Sequence, residues 1–479
     1  SPSAAPTASP SAAPTASPSA APTASPSAAP TASPTASPTP TERYVWNMAG
    51  TGVLGYNGEG LLATLTQLAT PYDVWIDSND MTYIADNDNQ RIRLIDAATG
   101  RISDYAGDGV IGFRGEGAAA TFARFRYPRA LLGNTNNDLY VSDTFNHRVR
   151  VINMDTTVIT TAAGGGEDST STTLPATDAT LNVVTGLYFD DVNNHLYFCE
   201  GRNHALRRLT VSDGTLVVVA GTIGVVGFSG DGGQATSATM NFPFGVTLDT
   251  DGNIYVSERE NWCVRRIATD GIITTFAGQC QVNGYSGDGG PATDALFSGK
   301  LRTIRTDTNG IFYISDTNNQ RIRAIDANNI IITEVGTGDP TYNGNGLLAT
   351  LCNIRTPMGL FITPDGEIVF AEGNGNRIRG TFINGPSVSP TAAPTPPGFV
   401  APSAVPTSTP TSSPTYRTKY IYQLAGNSSG AFQGDGGDAT LASIFTPYGV
   451  WLCQNDDILI VDNRNDRIRM VDRTTNIIT

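Results

Sequence analysis

An acidic residue recurs inside glycine-rich loops along this chain, and such loops are found in sites that bind calcium or phosphate. Two copies read GFSGDGGQAT at 227–236 and GYSGDGGPAT at 284–293. A phosphate loop needs a strand-to-helix context and a lysine, and a calcium loop needs several oxygen ligands at alternating positions. Each loop offers one carboxylate, Asp231 or Asp288, and other copies carry Glu or Asn there. We interpret the loops as structural, with glycine permitting the turns and the acid capping the next segment; calcium binding is unsupported.

A second pattern, Asp-x-x-Asn-x-Arg, also combines groups that could do chemistry. Its copies are Asp86, Asn89 and Arg91; Asp143, Asn146 and Arg148; and Asp316, Asn319 and Arg321. Asn and Asp side chains shape turns, and the arginine can pair with the carboxylate. Because the pattern occurs in nearly every repeat, it indicates a scaffold.

Six repeats carry these patterns. Their recognisable segments begin with YIADNDNQRIRLID at residue 83 and recur at intervals of 57, 57, 58, 58 and 56 residues. Each repeat reads as four short strands, for example PFGVTLD, IYVSE, CVRRIA and IITTFAG, with Gly and Asp turns between them. This alternation is typical of antiparallel strands. Six such units predict an all-β, six-bladed propeller of four-stranded antiparallel blades.

The ends of the repeats predict how the ring closes. The sixth unit lacks its own fourth strand, and the segment RYVWNMAG at 43–50 supplies one from the N-terminal side. From residue 419 onward the sequence of the first repeat recurs, displaced by 376 residues along the chain. This recurrence predicts the first blade of a second propeller. We expect the chain to be a window from a longer protein. The predicted domains are 1–41, 42–384, 385–418 and 419–479.

Alignment of the six inner strands predicts which side chains line the central channel. The equivalent positions are Tyr72, Arg129, Thr185, Phe244, Arg302 and Met358. Two arginines beside aromatic groups could hold an anion. No Ser/His/Asp order and no Cys/His pair stands out.

The repeats resemble the NHL-repeat family of β-propellers, over residues 43–384 and again over 419–479. The third unit departs most, because AGGGEDSTSTTLPATDAT lacks the Gly-Asp-Gly-Gly loop. Related propeller lyases hold a metal in the channel through histidines. Here His147 and His204 are expected on a strand and His195 in a turn, so no ligand triad converges. We therefore expect no enzymatic activity, no metal and no cofactor.

Composition limits the partners. The net charge of −14 disfavours nucleic acid, including the RNA that some NHL propellers bind, and anionic membranes. No apolar run is long enough to span a membrane. Five cysteines are too few for a disulfide framework. Cys263 and Cys280 flank one hairpin and are a possible disulfide, but two unpaired buried thiols are nearly as compatible with the sequence.

The two proline-rich segments contain no charged residue. Residues 1–40 consist of Ser, Pro, Ala and Thr with a proline at every fourth position, and a similar style returns at 385–415. Such segments favour polyproline II rods. They resemble the hydroxyproline-rich glycoproteins of algal and plant walls, which implies O-linked glycans and an extracellular or cell-surface location. The glycosylation candidates are Ser1, Pro2, Ser3, Pro6, Thr7, Pro10, Pro402, Thr407, Pro410 and Thr411, with Asn427 in an N-glycosylation sequon.

These features support two functional hypotheses. In the first, the protein is an extracellular structural glycoprotein whose propellers are beads on glycosylated rods, self-associating or joining neighbouring glycoproteins in a filament, wall fibre or flagellar hair. In the second, the propeller is a recognition or adhesion module that binds a protein or glycan through one face. An asymmetric cluster of aromatic side chains on one face would favour recognition. Linkers packed against neighbouring subunits would favour the structural role.

Overall fold

The computed structural model describes residues 43–383 and, farther along the chain, the strands of 447–452, 458–462, 467–472 and 477–478. The glycosylation candidates and both proline-rich segments lie outside these residues, so the rods, their sugars and the boundaries of the four domains remain predictions. Within the described residues, no helix is long and apolar enough to cross a membrane.

Residues 43–383 form six antiparallel sheets of four or five strands, which confirms the predicted six-bladed propeller. The first three blades contain β2 Pro71–Ile76, β3 Thr82–Asp86, β4 Arg91–Ile95 and β5 Ile102–Ala106; β6 Ala118–Ala119, β7 Pro128–Gly133, β8 Asp138–Asp143, β9 Arg148–Asn153 and β10 Val158–Ala163; and β11 Thr173–Pro175, β12 Val184–Asp190, β13 His195–Glu200, β14 Ala205–Thr210 and β15 Thr215–Ala220.

The remaining blades have the same plan. They contain β16 Pro243–Leu248, β17 Ile254–Glu258, β18 Cys263–Ile267 and β19 Ile273–Ala277; β20 Gly290–Pro291, β21 Leu301–Thr306, β22 Phe312–Asp316, β23 Arg321–Ile325 and β24 Ile330–Val335; and β1 Arg43–Ala49, β25 Leu347–Leu348, β26 Pro357–Ile362, β27 Ile368–Glu372 and β28 Arg377–Ile383. Single-turn 3-10 helices lie at Ala63–Leu65, Asn87–Asn89, Ala120–Phe122, Thr144–Asn146, Ala176–Asp178, Ala235–Ser237, Ala292–Asp294, Thr317–Asn319 and Ala349–Leu351.

The ring closes as the sequence predicts. Strand β1 pairs antiparallel with β28, with Tyr44 opposite Phe382 and Trp46 opposite Gly380. The inner strands contact one another in the order β2, β7, β12, β16, β21, β26 and back to β2. Completing blade six with a strand from the opposite end of the chain covers the edge of β28 and joins the two ends of the ring.

Strands β3, β17, β22 and β27 are buried at every residue, because neighbouring blades cover both faces of each sheet. Each gap between neighbouring blades is filled by aliphatic and aromatic side chains. The inner strands approach so closely that some positions accept only glycine. A Cβ on Gly186 would lie 2.4 Å from the carbonyl oxygen of Phe244, and one on Gly359 would lie 2.0 Å from an Asp73 carboxylate oxygen. The channel is therefore narrow at this level.

The C-terminal strands form a separate four-stranded sheet of β29 Pro447–Leu452, β30 Ile458–Asp462, β31 Arg467–Asp472 and β32 Ile477–Ile478. Its register repeats that of blade one, since Pro447 faces Asp462 as Pro71 faces Asp86. That this sheet begins a second propeller remains a prediction.

Candidate functional site

A layer of buried arginines recurs in the six blades, and it shows that the pairing predicted for the Asp-x-x-Asn-x-Arg pattern is wrong. The arginine that pairs with the strand-end carboxylate is seven residues beyond it, not five, and its exposed fraction is 0% in every blade. The pairs and their N–O distances are Arg93–Asp86 (3.2 Å), Arg150–Asp143 (3.6 Å), Arg207–Glu200 (2.6 Å), Arg265–Glu258 (3.2 Å), Arg323–Asp316 (3.6 Å) and Arg379–Glu372 (3.2 Å). We call these six pairs the arginine layer.

The arginine five residues beyond the carboxylate has other contacts. Arg91 pairs with Asp104 at 2.9 Å, and the guanidinium of Arg148 lies 4.1 Å from the Phe113 ring centroid. Arg321 donates to the backbone carbonyl of Asn319 at 2.9 Å. The sequence pattern thus located the scaffold correctly but assigned the pairing to the wrong strand position, because both arginines lie on the same strand two residues apart.

The loop carboxylates are structural, as expected, but they bind arginine and threonine side chains and do not cap the following segment. Asp231 pairs with Arg265 at 2.5 Å and accepts the Thr275 hydroxyl at 2.6 Å. Asp288 pairs with Arg323 at 2.7 Å in the same way. An aromatic side chain from the loop covers the buried guanidinium in five blades. These residues are Tyr56, Phe113, Phe228, Tyr285 and Tyr342, at 4.8–5.2 Å.

The channel residues behave differently, because they depart from the repeat. Tyr72 of blade one and Phe244 of blade four stack across the ring axis with centroids 6.2 Å apart. Arg302 of blade five extends inward until its guanidinium lies 4.9 Å from the Tyr72 centroid and 5.2 Å from that of Phe244. Arg129 of blade two lies 5.0 Å from the rings of Tyr72 and Phe145. We call this group the channel mouth.

The two arginines of the channel mouth have no carboxylate within ion-pairing distance among the described residues. Arg302 is 7% exposed, and its Nε and Nη1 are buried without a hydrogen-bond partner there; the same holds for Nε of Arg129. Burial lowers the pKa of the Arg302 guanidinium to about 10. Burial together with the nearby Arg259, against the opposing effect of Asp88, lowers the pKa of Arg129 to about 10. A desolvated cation–π contact contributes about 2 kcal/mol, whereas burying a cation costs several kcal/mol. The aromatic rings therefore offset only part of the cost.

Thr185 hydrogen-bonds backbone carbonyls and does not join the channel mouth, whereas Met358 belongs to the same hydrophobic cluster as Tyr72 and Phe244. The Thr185 hydroxyl is fully buried and lies 3.3 Å from the carbonyl of Cys199 and 3.2 Å from that of Pro243, so it links neighbouring inner strands. Met358 is buried and packs towards Gly373, where a Cβ would meet its Cε at 2.3 Å. The structure thus brings five of the six predicted channel residues together, four of them in the channel mouth.

Sequence reasoning missed Asp73, the residue after Tyr72. The other inner strands carry Ala, Gly or Thr at this position, and that difference was the available signal. Asp73 accepts the backbone N–H of Leu131 at 3.2 Å, and Arg305 lies 3.9 Å away. Burial raises the pKa of Asp73 to about 6, against the opposing effect of Arg305. Arg305 lines a cavity of about 200 Å³ at the other end of the channel. At that end of the channel, the charge of Arg305 is therefore offset by the carboxylate of Asp73.

Charge is distributed unequally between the two ends. The two residues directly before each inner strand and the turns after the second strands lie at the channel mouth; we call them the mouth face. Their charged side chains are Arg126, Arg202, Arg259, Lys300 and Arg355 against Asp88 and Glu260. The turns between first and second strands lie at the opposite end. Their charged side chains are all acidic, namely Asp77, Asp80, Asp191, Asp249, Asp251, Asp307, Asp365 and Glu367. The mouth face is basic although the chain is strongly acidic.

The histidines have structural contacts. Nδ1 of His147 accepts the backbone N–H of Val183 at 3.2 Å, and Nδ1 of His204 accepts that of Phe242 at 3.2 Å, so each joins its blade to the next. Burial lowers the pKa of both. The expected strand and turn positions of the histidines are wrong: His147 and His204 lie in the turns before β9 and β14, and His195 is the first residue of β13. Among the described residues, no three His, Cys, Asp or Glu side chains are grouped to hold a metal ion.

Cys263 and Cys280 are joined by a disulfide that links the start of β18 to the loop after β19. Cys199 and Cys352 are buried free thiols. Of the two alternatives that the sequence left open for Cys263 and Cys280, the structure contains the bridge.

No family model matches this chain. Protein SUPPRESSOR OF QUENCHING 1, chloroplastic, of Arabidopsis thaliana is 26% identical over 335 residues, covering 67% of this chain and 31% of that protein. NHL repeat-containing protein 2 of Homo sapiens is 24% identical over 276 residues, covering 52% of this chain and 38% of that protein. The chain thus spans less than half the length of these relatives.

Among solved structures, an auxiliary nutrient binding protein from Bacteroides thetaiotaomicron is similar, with a TM-score of 0.53 and 14% identity over 71% of this chain and 76% of that one. Identity this low shows the fold alone. The six-bladed architecture and the NHL repeat-containing relatives together support an NHL-type β-propeller.

Proposed function

We propose that this propeller is a non-catalytic recognition module that binds its ligand at the channel mouth. The observation that supports this most is the asymmetry of the mouth. Tyr72, Phe244, Arg129 and Arg302 break the six-fold repeat at one level of the channel, and the two guanidiniums lack carboxylate partners among the described residues. Residues that serve only the scaffold recur in every blade with their partners, as the arginine layer does. Departure from the repeat, combined with unsatisfied polar groups, is typical of a binding site.

The polarity of the two ends gives this module an orientation. A basic mouth face on an acidic protein attracts ligands of negative charge to one end and repels them from the other. Aromatic side chains at that end, among them Tyr127, Phe145 and Phe242, add apolar contact area. These aromatic side chains support a recognition module over a purely structural bead.

The proposal is tested by screening the 479-residue chain against arrays of glycans and extracellular proteins. A ligand found this way is then measured with Arg259→Gln and Arg355→Gln, each of which removes one positive charge from the mouth face, and with Arg101→Gln, which removes one from an exposed position at the opposite end of blade one. The module hypothesis expects weaker binding for the first two variants and unchanged binding for the third. Equal binding by all three variants contradicts a site at the mouth.

The location proposed for this module is extracellular, on O-glycosylated proline-rich segments. The disulfide between Cys263 and Cys280 supports an oxidising compartment, and Asn427 lies in a sequon. Intact-mass analysis of protein from its natural source tests this, because glycosylation adds mass in increments of sugar units. A mass equal to that of the bare polypeptide contradicts it.

A structural role in a filament is the second candidate. The favouring observation is that the sheet β29–β32 repeats the register of blade one after the second proline-rich segment, so that propeller and proline-rich segment alternate along one chain. Electron microscopy of the purified chain tests it: regular fibres support the role, and monodisperse particles at high concentration contradict it.

A further inference from the structure

We infer that the channel mouth binds an oxyanion, with Arg302 as its principal contact and Arg129 as a second. The inference rests on the proposed function and names the chemistry of its ligand: a carboxylate, sulfate or phosphate group, whether free or carried on an acidic glycan. Three independent observations support it: the burial of Arg302, the surroundings of both guanidiniums and the charge of the face that leads to them.

Arg302 is buried and has donors to spare. Its exposed fraction is 7%, and Nε and Nη1 donate to no partner among the described residues. A guanidinium carries five N–H donors in a planar fork that suits the two oxygens of a carboxylate or sulfate. Since Arg302 starts on blade five yet reaches Tyr72 on blade one, its fork lies over the channel and not within a blade.

A second arginine of the same strand has opposite surroundings. Arg305, three residues further on, has the Asp73 carboxylate at 3.9 Å and donates to the Val246 carbonyl at 3.3 Å. Within the described residues, the protein therefore supplies an internal counter-charge at one end of the channel and none at the other. A bound anion supplies Arg302 with the negative counter-charge that Asp73 supplies to Arg305.

The mouth face gives anions access to this site. Arg126, Arg202 and Arg355 are exposed on it, and Asp88 and Glu260 are its acidic side chains. Positive charge around a recess raises the local concentration of anions and their association rate. At the opposite end the acidic turns repel them. Entry of an oxyanion is therefore favoured from the mouth face, and this route leads to Arg302.

The experiment uses the 479-residue chain, with sodium sulfate, D-glucuronate and, as its neutral match, D-glucose as probes. Isothermal titration calorimetry gives the affinity, and thermal melting at constant ionic strength compares sulfate with chloride. The variants are Arg302→Met, Arg129→Gln and, as the matched control, Arg114→Met, which removes an exposed arginine from the loop of blade two.

The expected result is that sulfate or glucuronate binds the parent chain, that glucose does not, and that Arg302→Met weakens binding by at least about tenfold, as loss of a charged hydrogen-bond donor does. Arg129→Gln weakens it less, and Arg114→Met leaves it unchanged. Binding of sulfate alone identifies a free ion as the source of the oxyanion; binding of glucuronate as well identifies an acidic sugar. If neither binds, or if Arg302→Met binds as the parent does, the inference is wrong.

Two outcomes separate this inference from the proposed function. If an array ligand binds the parent chain and Arg302→Met equally, while Arg259→Gln weakens it, the recognition module stands and the oxyanion site is wrong. If sulfate binding depends on Arg302 but no array ligand is found, the oxyanion site stands and the recognition module loses its support. Should Arg302→Met fail to fold, Arg129→Gln and the comparison of sulfate with chloride on the parent chain still decide the matter.

Discussion

Two sets of buried arginines in this propeller have similar burial and opposite surroundings. Each guanidinium of the arginine layer faces a carboxylate on the preceding strand, in all six blades. Arg302 is nearly as buried, but its guanidinium lies over the rings of Tyr72 and Phe244. Arginine burial alone therefore indicates nothing about function here. Scaffold and candidate site differ in whether the protein supplies the counter-charge.

Blade three shows how far the scaffold can vary. Its loop places neither an aromatic ring nor a carboxylate against Arg207, which is held by Glu200 and by the carbonyl of Ser171. The blade nevertheless keeps the same sheet order. The strand-end pair is therefore the essential part of the arginine layer, and the loop contacts reinforce it.

The largest expected effect comes from breaking one pair of the layer. Arg265→Met leaves Glu258 buried without its cation, and removal of one partner of a buried pair costs about 3–5 kcal/mol. The Arg302→Met variant removes a buried cation that has no carboxylate partner among the described residues, so its free energy of unfolding should equal or exceed that of the parent. Urea denaturation at pH 7 measures both.

The contrast between these two variants is the control. If Arg302→Met is as destabilising as Arg265→Met, then the protein itself compensates Arg302, and the distinction between scaffold and mouth fails. If Arg265→Met is harmless, the arginine layer does not stabilise the fold.

Blade four also contains the disulfide between Cys263 and Cys280. Its removal should cause the second-largest loss of stability. The bridge joins residues 17 positions apart, and closing a loop of this length stabilises a protein by about 3 kcal/mol. The double variant Cys263→Ala, Cys280→Ala should melt at a lower temperature than the parent. Reductant should lower the melting temperature of the parent and leave that of the double variant unchanged; a parent insensitive to reductant contradicts the prediction.

The fold could be predicted from the sequence because the sequence is repetitive. Spacing of 56 to 58 residues and alternation within each unit gave six blades, and the missing fourth strand of the last unit pointed to Tyr44 and its neighbours as the closing strand. The scaffold role of the Asp-x-x-Asn-x-Arg pattern was also visible. The choice between Arg91 and Arg93 as the partner of Asp86 was not, because it depends on contacts that β4 makes after folding.

The site was less readable, because it depends on contacts across the ring. Alignment placed Tyr72, Phe244, Arg129 and Arg302 at one level of the channel, but it could not show that Tyr72 and Phe244 meet over the axis. The alignment also predicted that Thr185 and Arg302 line the channel equally. In the structure, the Thr185 hydroxyl is used in hydrogen bonds between strands. Asp73 was passed over because a single acidic residue in an inner strand has no pattern to mark it.

A smaller effect should follow from removing the loop carboxylate of blade five. Arg323 pairs with two carboxylates, those of Asp288 and Asp316. The substitution Asp288→Asn removes the charge of the more exposed one and leaves Asp316 in place. Since blade three lacks this contact, and since the Asp288 side chain is 35% exposed, we expect a loss of about 1 kcal/mol. Urea denaturation alongside Arg265→Met checks the order, and a loss as large as that of Arg265→Met contradicts the view that loop contacts only reinforce.

The smallest effect concerns the histidines that join blades two, three and four. Gln90 and Gln320 occupy the equivalent positions in blades one and five, and their side-chain oxygens accept the backbone N–H of Tyr127 at 2.7 Å and of Thr356 at 2.6 Å. Nδ1 of His147 and of His204 plays the same part, and an imidazolium could no longer accept. Burial lowers the pKa of both histidines in the folded protein. The unfolded chain therefore binds more protons than the folded one, and stability present above the ordinary pKa of about 6.5 is lost as the pH falls through the lowered value.

The double variant His147→Gln, His204→Gln keeps an acceptor that no proton can occupy in this range. It should match the parent at pH 7.5 and exceed it at pH 5 by about 1 kcal/mol for each lost hydrogen bond, measured by urea denaturation at both values. An identical pH dependence for parent and variant would show that these imidazoles stay neutral or that their contacts do not matter.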